Sequence, residues 1–142
     1  MSTSYLQRYD HMCDHAAAQV IARYSTSFSL STRLLAAPIR RDIRNLYAMV
    51  RIADEIVDGT ALAAAADPAT ALDAYEAQIL AAPHIRFHTD PVVHAYANTA
   101  RRCNFTREYV ESFFASMRRD LTQTVYTCLL YTSDAADDLL TV

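Results

Sequence analysis

A single glycine in 142 residues is what most restricts the fold of this chain. Hairpins and tight corners draw on residues that tolerate positive φ, and glycine tolerates it best. With one glycine, no lysine and an abundance of Ala, Leu and Arg, the chain is composed for helices rather than sheets. That glycine closes the stretch Leu46-Tyr-Ala-Met-Val-Arg-Ile-Ala-Asp-Glu-Ile-Val-Asp-Gly59, which reads as the end of a long helix stopped by a left-handed C-terminal residue. Within it Tyr47, Arg51, Asp54 and Asp58 recur at i, i+4, i+7 and i+11, one face of a helix. A buried stripe of that period would be Leu or Val. Here it is a phenol, a guanidinium and two carboxylates, flanked by apolar Leu46, Val50, Ile56 and Val57.

The two carboxylates carry the chemistry. At i and i+4 their Cβ atoms lie about 5–6 Å apart and the repulsion costs a helix roughly 0.2–0.5 kcal/mol. In a partly dry cleft it rises to on the order of 3 kcal/mol. A divalent cation removes that cost. Mg²⁺ takes hard oxygen ligands, keeps several waters and is commonly held by one or two carboxylates together with substrate phosphates; Mn²⁺ accepts the same donors. Asp54 and Asp58 therefore suit a Mg²⁺–diphosphate site, and Arg51, one turn earlier, adds a forked donor. By itself D-x-x-x-D is a weak pattern that also describes a solvated acidic helix end. An acidic last turn opposes the helix dipole, however, which is mild evidence for a purpose other than helix stability.

The length suits one domain with a real core, and 52% of the residues are hydrophobic. A net charge of -3 leaves no basic footprint for nucleic acid. Cys13, Cys103 and Cys128 are odd in number and far apart, so neither a zinc site nor a disulfide framework is suggested, and a reducing cytoplasm is the default location. No early apolar run resembles a signal peptide, none is long enough to cross a bilayer, and no repeat of solenoid period occurs.

In chain order, a first helix runs from a Ser2 or Ser4 cap to about Tyr24, with Leu6, Met12, Ala16, Val20 and Ile21 as its apolar positions. His11 and His15 share its face without a third ligand and read as surface residues. Six hydroxyl residues in Ser25–Thr32 predict a break followed by a short helix. Ser25, Ser27 and Phe28 there suit a pocket mouth or a cap for the next helix. Pro38 and Ile39 open the long helix to Asp58, with Arg40, Arg41, Asp42 and Arg44 as a solvated early face. Thr60–Asp67 reads as an Ala-rich connector and Thr70–Leu80 as a helix with Leu72, Tyr75, Ile79 and Leu80 inward. Pro83–Asp90 reads as a loop in which His84 and His88 are filler, and Pro91–Arg102 as a helix. Asn104-Phe105-Thr106 then caps a helix over Thr106–Thr124, striped by Tyr109, Val110, Phe113, Phe114, Met117 and Leu121.

S-x-S-F, a Leu-Leu pair, and Arg-Asp-Ile-Arg leading into L-Y-A-x-x-R-x-A-D-E-I-V-D together resemble the N-terminal part of the squalene/phytoene synthase family. The likeness is strong over Ser25–Gly59. It implies an all-α fold, the N-terminal part of a class I terpenoid-synthase-type helical bundle. It also implies head-to-head condensation of two prenyl diphosphates, geranylgeranyl or farnesyl, through a cyclopropyl diphosphate. The Leu-rich Ser29–Leu35 segment leans toward bacterial phytoene synthases. On this resemblance Asp54 and Asp58 bind Mg²⁺ on a substrate diphosphate and Arg51 contacts that diphosphate. Tyr47 lies near the reacting allylic groups, and Ser25, Ser27 and Phe28 belong to the pocket segment. Ser116–Thr127 resembles the family's M-x-x-D-L…Y segment, with Asp120 and Tyr126 at the matching positions. An apolar product further implies peripheral contact with a membrane.

After Thr127 the family's Tyr-rich segment, its V-A-G-x-V-G helix and its second D-x-x-x-D helix do not follow. Residues 128–142 instead resemble the translation of a sequencing-library adapter, which divides the chain into a partial synthase domain, 1–127, and a tail. On that division Asp134-Ala-Ala-Asp-Asp138 is a chance match to the aspartate motif without a metal role. The chain alone, with one aspartate motif, is then expected to be inactive. A non-catalytic helical interaction module is the alternative from a different class.

Overall fold

The computed structural model describes the backbone of residues 2–138 and the side chains of residues 4–123. Among the described residues there is no strand; the chain forms seven α-helices and one 3₁₀ turn, the all-α architecture that its composition predicts. No described helix is long and apolar enough to cross a membrane.

Helix α1 spans Ser2–Tyr24. Its buried face is Cys13, Ala17 and Ile21. Ile21 is buried as expected and Val20 packs at the edge of the core, but Cys13 and Ala17 stand in place of the expected Met12 and Ala16, and Met12 is 44% exposed. Small residues decide the difference. Cys13 and Ala17 meet Ala48 and Ala95 in a tight cluster, where a methionine would hold the helices apart. Ser25 alone separates α1 from α2, Thr26–Thr32. The hydroxyl-rich segment is therefore itself the short helix. Ser31 donates to the Ser27 carbonyl at 3.0 Å and Thr32 to that of Ser29 at 2.7 Å, so these hydroxyls bond back into the helix instead of unwinding it.

Helix α3, Ala37–Asp58, carries Pro38 in its first turn. It ends at Gly59, with φ 131° and ψ -12°, whose N–H donates to the Glu55 carbonyl. A Cβ there would meet no atom within 4 Å, so the requirement for glycine is one of backbone conformation, not space. The Ala-rich connector holds a single-turn helix, α4, Thr60–Ala63. Helix α5, Pro68–Ala81, is N-capped by Asp67, and α6, Pro91–Cys103, by Asp90. Asn104 closes α6 in the left-handed conformation. Helix α7 runs from Arg107 to Asp138, so the boundary expected at Thr127 falls within a continuous helix. The side chains of Tyr126, Cys128 and the Asp134–Asp138 segment lie outside the described residues.

Helix α3 is the hub. It packs against α1 and α6, which also pack on each other, and against α5 and α7, which do likewise. The main core joins Met49, Ala53 and Val57 of α3 to Leu72, Tyr75 and Ile79 of α5, Tyr96 of α6, and Val110, Phe114, Met117 and Leu121 of α7. Tyr109, expected in the α7 stripe, is 73% exposed. The early face of α3 is likewise not simply solvated. Asp42 accepts from Thr99 at 2.8 Å and from Arg102 at 2.6 Å. Asn45, fully buried, donates to Asp14 and Thr99 at 3.0 Å each. His94, also buried, lies 2.7 Å through Nε2 from Asp10 while its Nδ1 accepts from the His88 backbone at 3.2 Å. His88 is thus a fastening of the loop to α6, not filler; its Nε2 lies 3.0 Å from the Ala82 carbonyl oxygen. His11 and His15 are exposed, as expected.

Candidate functional site

The C-terminal half of α3 gathers the polar stripe at its junction with α1 and α2. Because Ser25 turns the chain between those two helices, both Tyr24 and Phe28 reach back to α3. The Phe28 and Tyr47 rings lie 5.6 Å apart, and the Arg51 guanidinium carbon sits 4.5 Å from the centre of the Tyr24 ring. Ser25 caps α2, its hydroxyl oxygen accepting from the Phe28 N–H at 3.4 Å. Ser27 is exposed, and its carbonyl accepts from Ser31. Tyr47 is half-buried.

Arg51 is surrounded by carboxylates at graded distances. Its Nη2 donates to Glu55 at 2.7 Å and lies 3.5 Å from Asp58, and its Nη1 lies 3.8 Å from Asp54. Only the Glu55 contact has hydrogen-bond geometry. Asp54 and Asp58 accept no hydrogen bond from a described residue, and their side chains are 35% and 59% exposed. Desolvation holds the Asp54 carboxyl above the ordinary range, with repulsion from Asp58, from Asp120 on α7 and from Glu55 adding to it and Arg51 opposing. Glu55 is shifted the other way, lowered by the Thr60 hydroxyl and then by Arg51. The Arg51 guanidinium is held more firmly protonated, chiefly by Glu55.

This donor set fits a hard divalent cation. Two carboxylates one turn apart share the charge of a guanidinium that hydrogen-bonds a third, and keep lone pairs open. Among the described residues no group of three or more His, Cys, Asp or Glu is arranged to hold a metal ion. A cation held by the pair would take its remaining ligands from water and ligand oxygens. The spacing in the sequence brings Tyr47, Arg51, Asp54 and Asp58 to one face, and the fold adds Phe28 to it. Sequence reasoning passed over Glu55, although its i+4 relation to Arg51 is a legible ion-pair signal. It also passed over Tyr24, which has no periodic signal because it reaches α3 from another helix.

A family model for squalene/phytoene synthase matches residues 21–137. The chain belongs to the squalene/phytoene synthase family. The matched span takes in α2 to α6 entire and most of α7, and with them every residue of the stripe. A 15-cis-phytoene synthase of Paracoccus sp. (strain N81106 / MBIC 01143) is 31% identical over 117 residues. That alignment covers 80% of this chain and 38% of the relative, so this squalene/phytoene synthase chain spans well under half of the curated relative's length. No solved structure matches it.

Proposed function

We propose that this chain carries the first diphosphate-binding half of a prenyltransferase that joins two prenyl diphosphates head to head, through a cyclopropyl diphosphate. Geranylgeranyl diphosphate is the favoured substrate and farnesyl diphosphate the alternative. The observation that carries this reading is the placement of Asp54 and Asp58 on one face of α3, without a hydrogen bond from any described residue, beside a guanidinium that is bonded to a third carboxylate. Asp54 and Asp58 would hold Mg²⁺, or Mn²⁺ in its place. The metal, when bound, acts as Lewis acid and template for the departing diphosphate. Arg51 offers its remaining N–H groups to the diphosphate oxygens, balancing charge as the allylic C–O bond breaks. Tyr47 and Phe28 present adjoining aromatic faces, which stabilise positive charge on an allylic chain without supplying a nucleophile that would quench it. The condensing activity is assigned to a protein of the relative's length, and these 142 residues are expected to bind without condensing.

The direct test is calorimetric titration of the chain with inorganic pyrophosphate in the presence and absence of Mg²⁺. Mg²⁺-dependent binding that falls at least tenfold in Asp54→Asn supports the reading. Binding that ignores the substitution favours a non-catalytic interaction module. Incubation with Mg²⁺ and either prenyl diphosphate is expected to give no condensed product from this chain.

A membrane-peripheral setting has its own support. Leu30, Leu34 and Ile39 are more than half exposed at the α2–α3 corner, Leu34 at 91%. Arg33 and Arg40 adjoin Leu34 and Ile39 in sequence, their charges reach Arg44, and none of the three has a described ion pair. Exposed apolar side chains beside cations suit an anionic bilayer surface, the phase in which a prenyl chain dissolves.

A further inference from the structure

Arg51 raises a physical problem. A guanidinium one turn before Asp54 and two turns before Asp58 is placed to fork onto either carboxylate, which would occupy the oxygens that a cation needs. It approaches both only at ion-pair distance and hydrogen-bonds neither. Its short hydrogen bond runs to Glu55 at 2.7 Å, and Asp58 and Asp54 are left at 3.5 and 3.8 Å.

Two neighbours keep it there. The second Glu55 oxygen accepts from the Thr60 hydroxyl, which fixes the carboxylate against the start of α4. The Tyr24 ring lies across the guanidinium at 4.5 Å, and this face-on contact is itself attractive. Arg51 Nε is buried without a partner, so the contacts at the end of the guanidinium, with Glu55 and Tyr24, decide where it rests. Glu55 and its hydrogen bonds thus draw the cation toward the α3–α4 junction and away from the pair on α3.

We propose that Glu55 and Tyr24 are positioning residues that hold Arg51 off Asp54 and Asp58, so that the carboxylates stay open to a divalent cation while the guanidinium remains beside it for an anion. This rests on the assignment of Asp54 and Asp58 as the cation site. It differs from a role for Glu55 as a third metal ligand, since the Glu55 oxygens are taken by Arg51 and Thr60.

A double-mutant cycle with Mg²⁺ alone separates the roles. In Glu55→Gln, Arg51 moves onto the aspartates and Mg²⁺ affinity falls about tenfold, the scale of one charge-assisted hydrogen bond. In Tyr24→Leu it falls about two- to fivefold, the scale of an exposed cation–π contact. Adding Arg51→Gln to either variant restores Mg²⁺ binding to the level of Arg51→Gln alone. Loss that persists in the Arg51→Gln background would make Glu55 a ligand and overturn the proposal. A second readout needs no metal. The Arg51 Nε–H resonance, identified by its disappearance in Arg51→Gln, moves in Glu55→Gln and in Tyr24→Leu. If it stays in place, the two residues do not position Arg51, whatever Mg²⁺ does. If the resonance moves as expected but no variant nor the native chain binds Mg²⁺, the positioning stands and the cation-site assignment fails instead.

Discussion

Asp54 is the residue on which the electrostatics converge. Desolvation raises its pKa first, and the charges of Asp58, Asp120 and Glu55 add to that, with only Arg51 opposing. The sign follows directly. A carboxyl with a raised folded-state pKa binds protons more tightly than in the unfolded chain. It therefore destabilises the fold at neutral pH, and the loss is recovered as pH falls through its folded pKa. The same proton competes with any cation. Mg²⁺ binding should accordingly weaken with acidification at a pH above that of an ordinary aspartate. In Asp58→Asn the Asp54 titration should move down, toward the ordinary range, because a repelling charge has gone. Carboxyl ¹³C chemical shifts followed against pH in the two proteins check this. An Asp54 curve that does not shift would mean that Asp58 contributes nothing to its raised pKa. Glu55 illustrates the opposite case, its pKa lowered by Thr60 and Arg51. It contributes stability above its unfolded pKa that is lost as pH falls through the folded one.

At the scale of elements, the corner between α2 and α3 is the segment whose exposure most needs a partner. Leu34 is almost fully exposed, and Arg44 is pushed down by desolvation and by the charges of Arg40 and Arg33, the signature of a cationic cluster without a counter-ion. The chain has no tryptophan, so Leu34→Trp installs a single reporter at a site where the new ring meets little resistance. Its emission should shift to the blue on adding vesicles of phosphatidylcholine and phosphatidylglycerol in equal parts, and not with phosphatidylcholine alone. Each of Arg33→Gln and Arg40→Gln should weaken the partition about fivefold, from roughly 1 kcal/mol per basic residue near an anionic surface. A blue shift that appears without vesicles and grows with protein concentration would point to self-association through this corner instead.

For the molecule as a whole, the hub role of α3 rests on a polar bolt as much as on the apolar core. Asn45 is fully buried and joins α3 to Asp14 of α1 and Thr99 of α6. Thr99 in turn donates to Asp42. Asn45→Ala removes two hydrogen bonds that tie α3 to α1 and α6 and leaves a small void, at a cost of about 1–3 kcal/mol. Phe114→Ala, a cavity in the apolar half of the core, should cost about 3–5 kcal/mol. Urea unfolding of both variants checks the pair. If Asn45→Ala were neutral, the Asn45 hydrogen bonds would add nothing to the apolar and Asp42 contacts that also hold α1 and α6 to α3.

What the sequence determined by itself is local. The hydrogen-bond period of a helix is set within a few residues, so the lone glycine, the caps and the spacing of Tyr47, Arg51, Asp54 and Asp58 sufficed to place α3 and its polar face. The aspartate pair and its neighbouring arginine were legible for the same reason. Which groups come to that face from elsewhere was decided only by tertiary structure. The one-residue break at Ser25 sets the angle that lays Tyr24 over Arg51 and Phe28 beside Tyr47, and no periodicity encodes an angle between helices. The burial of Asn45 and His94, the rotation of the α1 face onto Cys13 and Ala17, and the choice of Glu55 over the aspartates as the Arg51 partner depend likewise on how closely neighbouring backbones approach. That distance is set by packing among side chains remote in sequence, which a reading of one helix at a time does not contain.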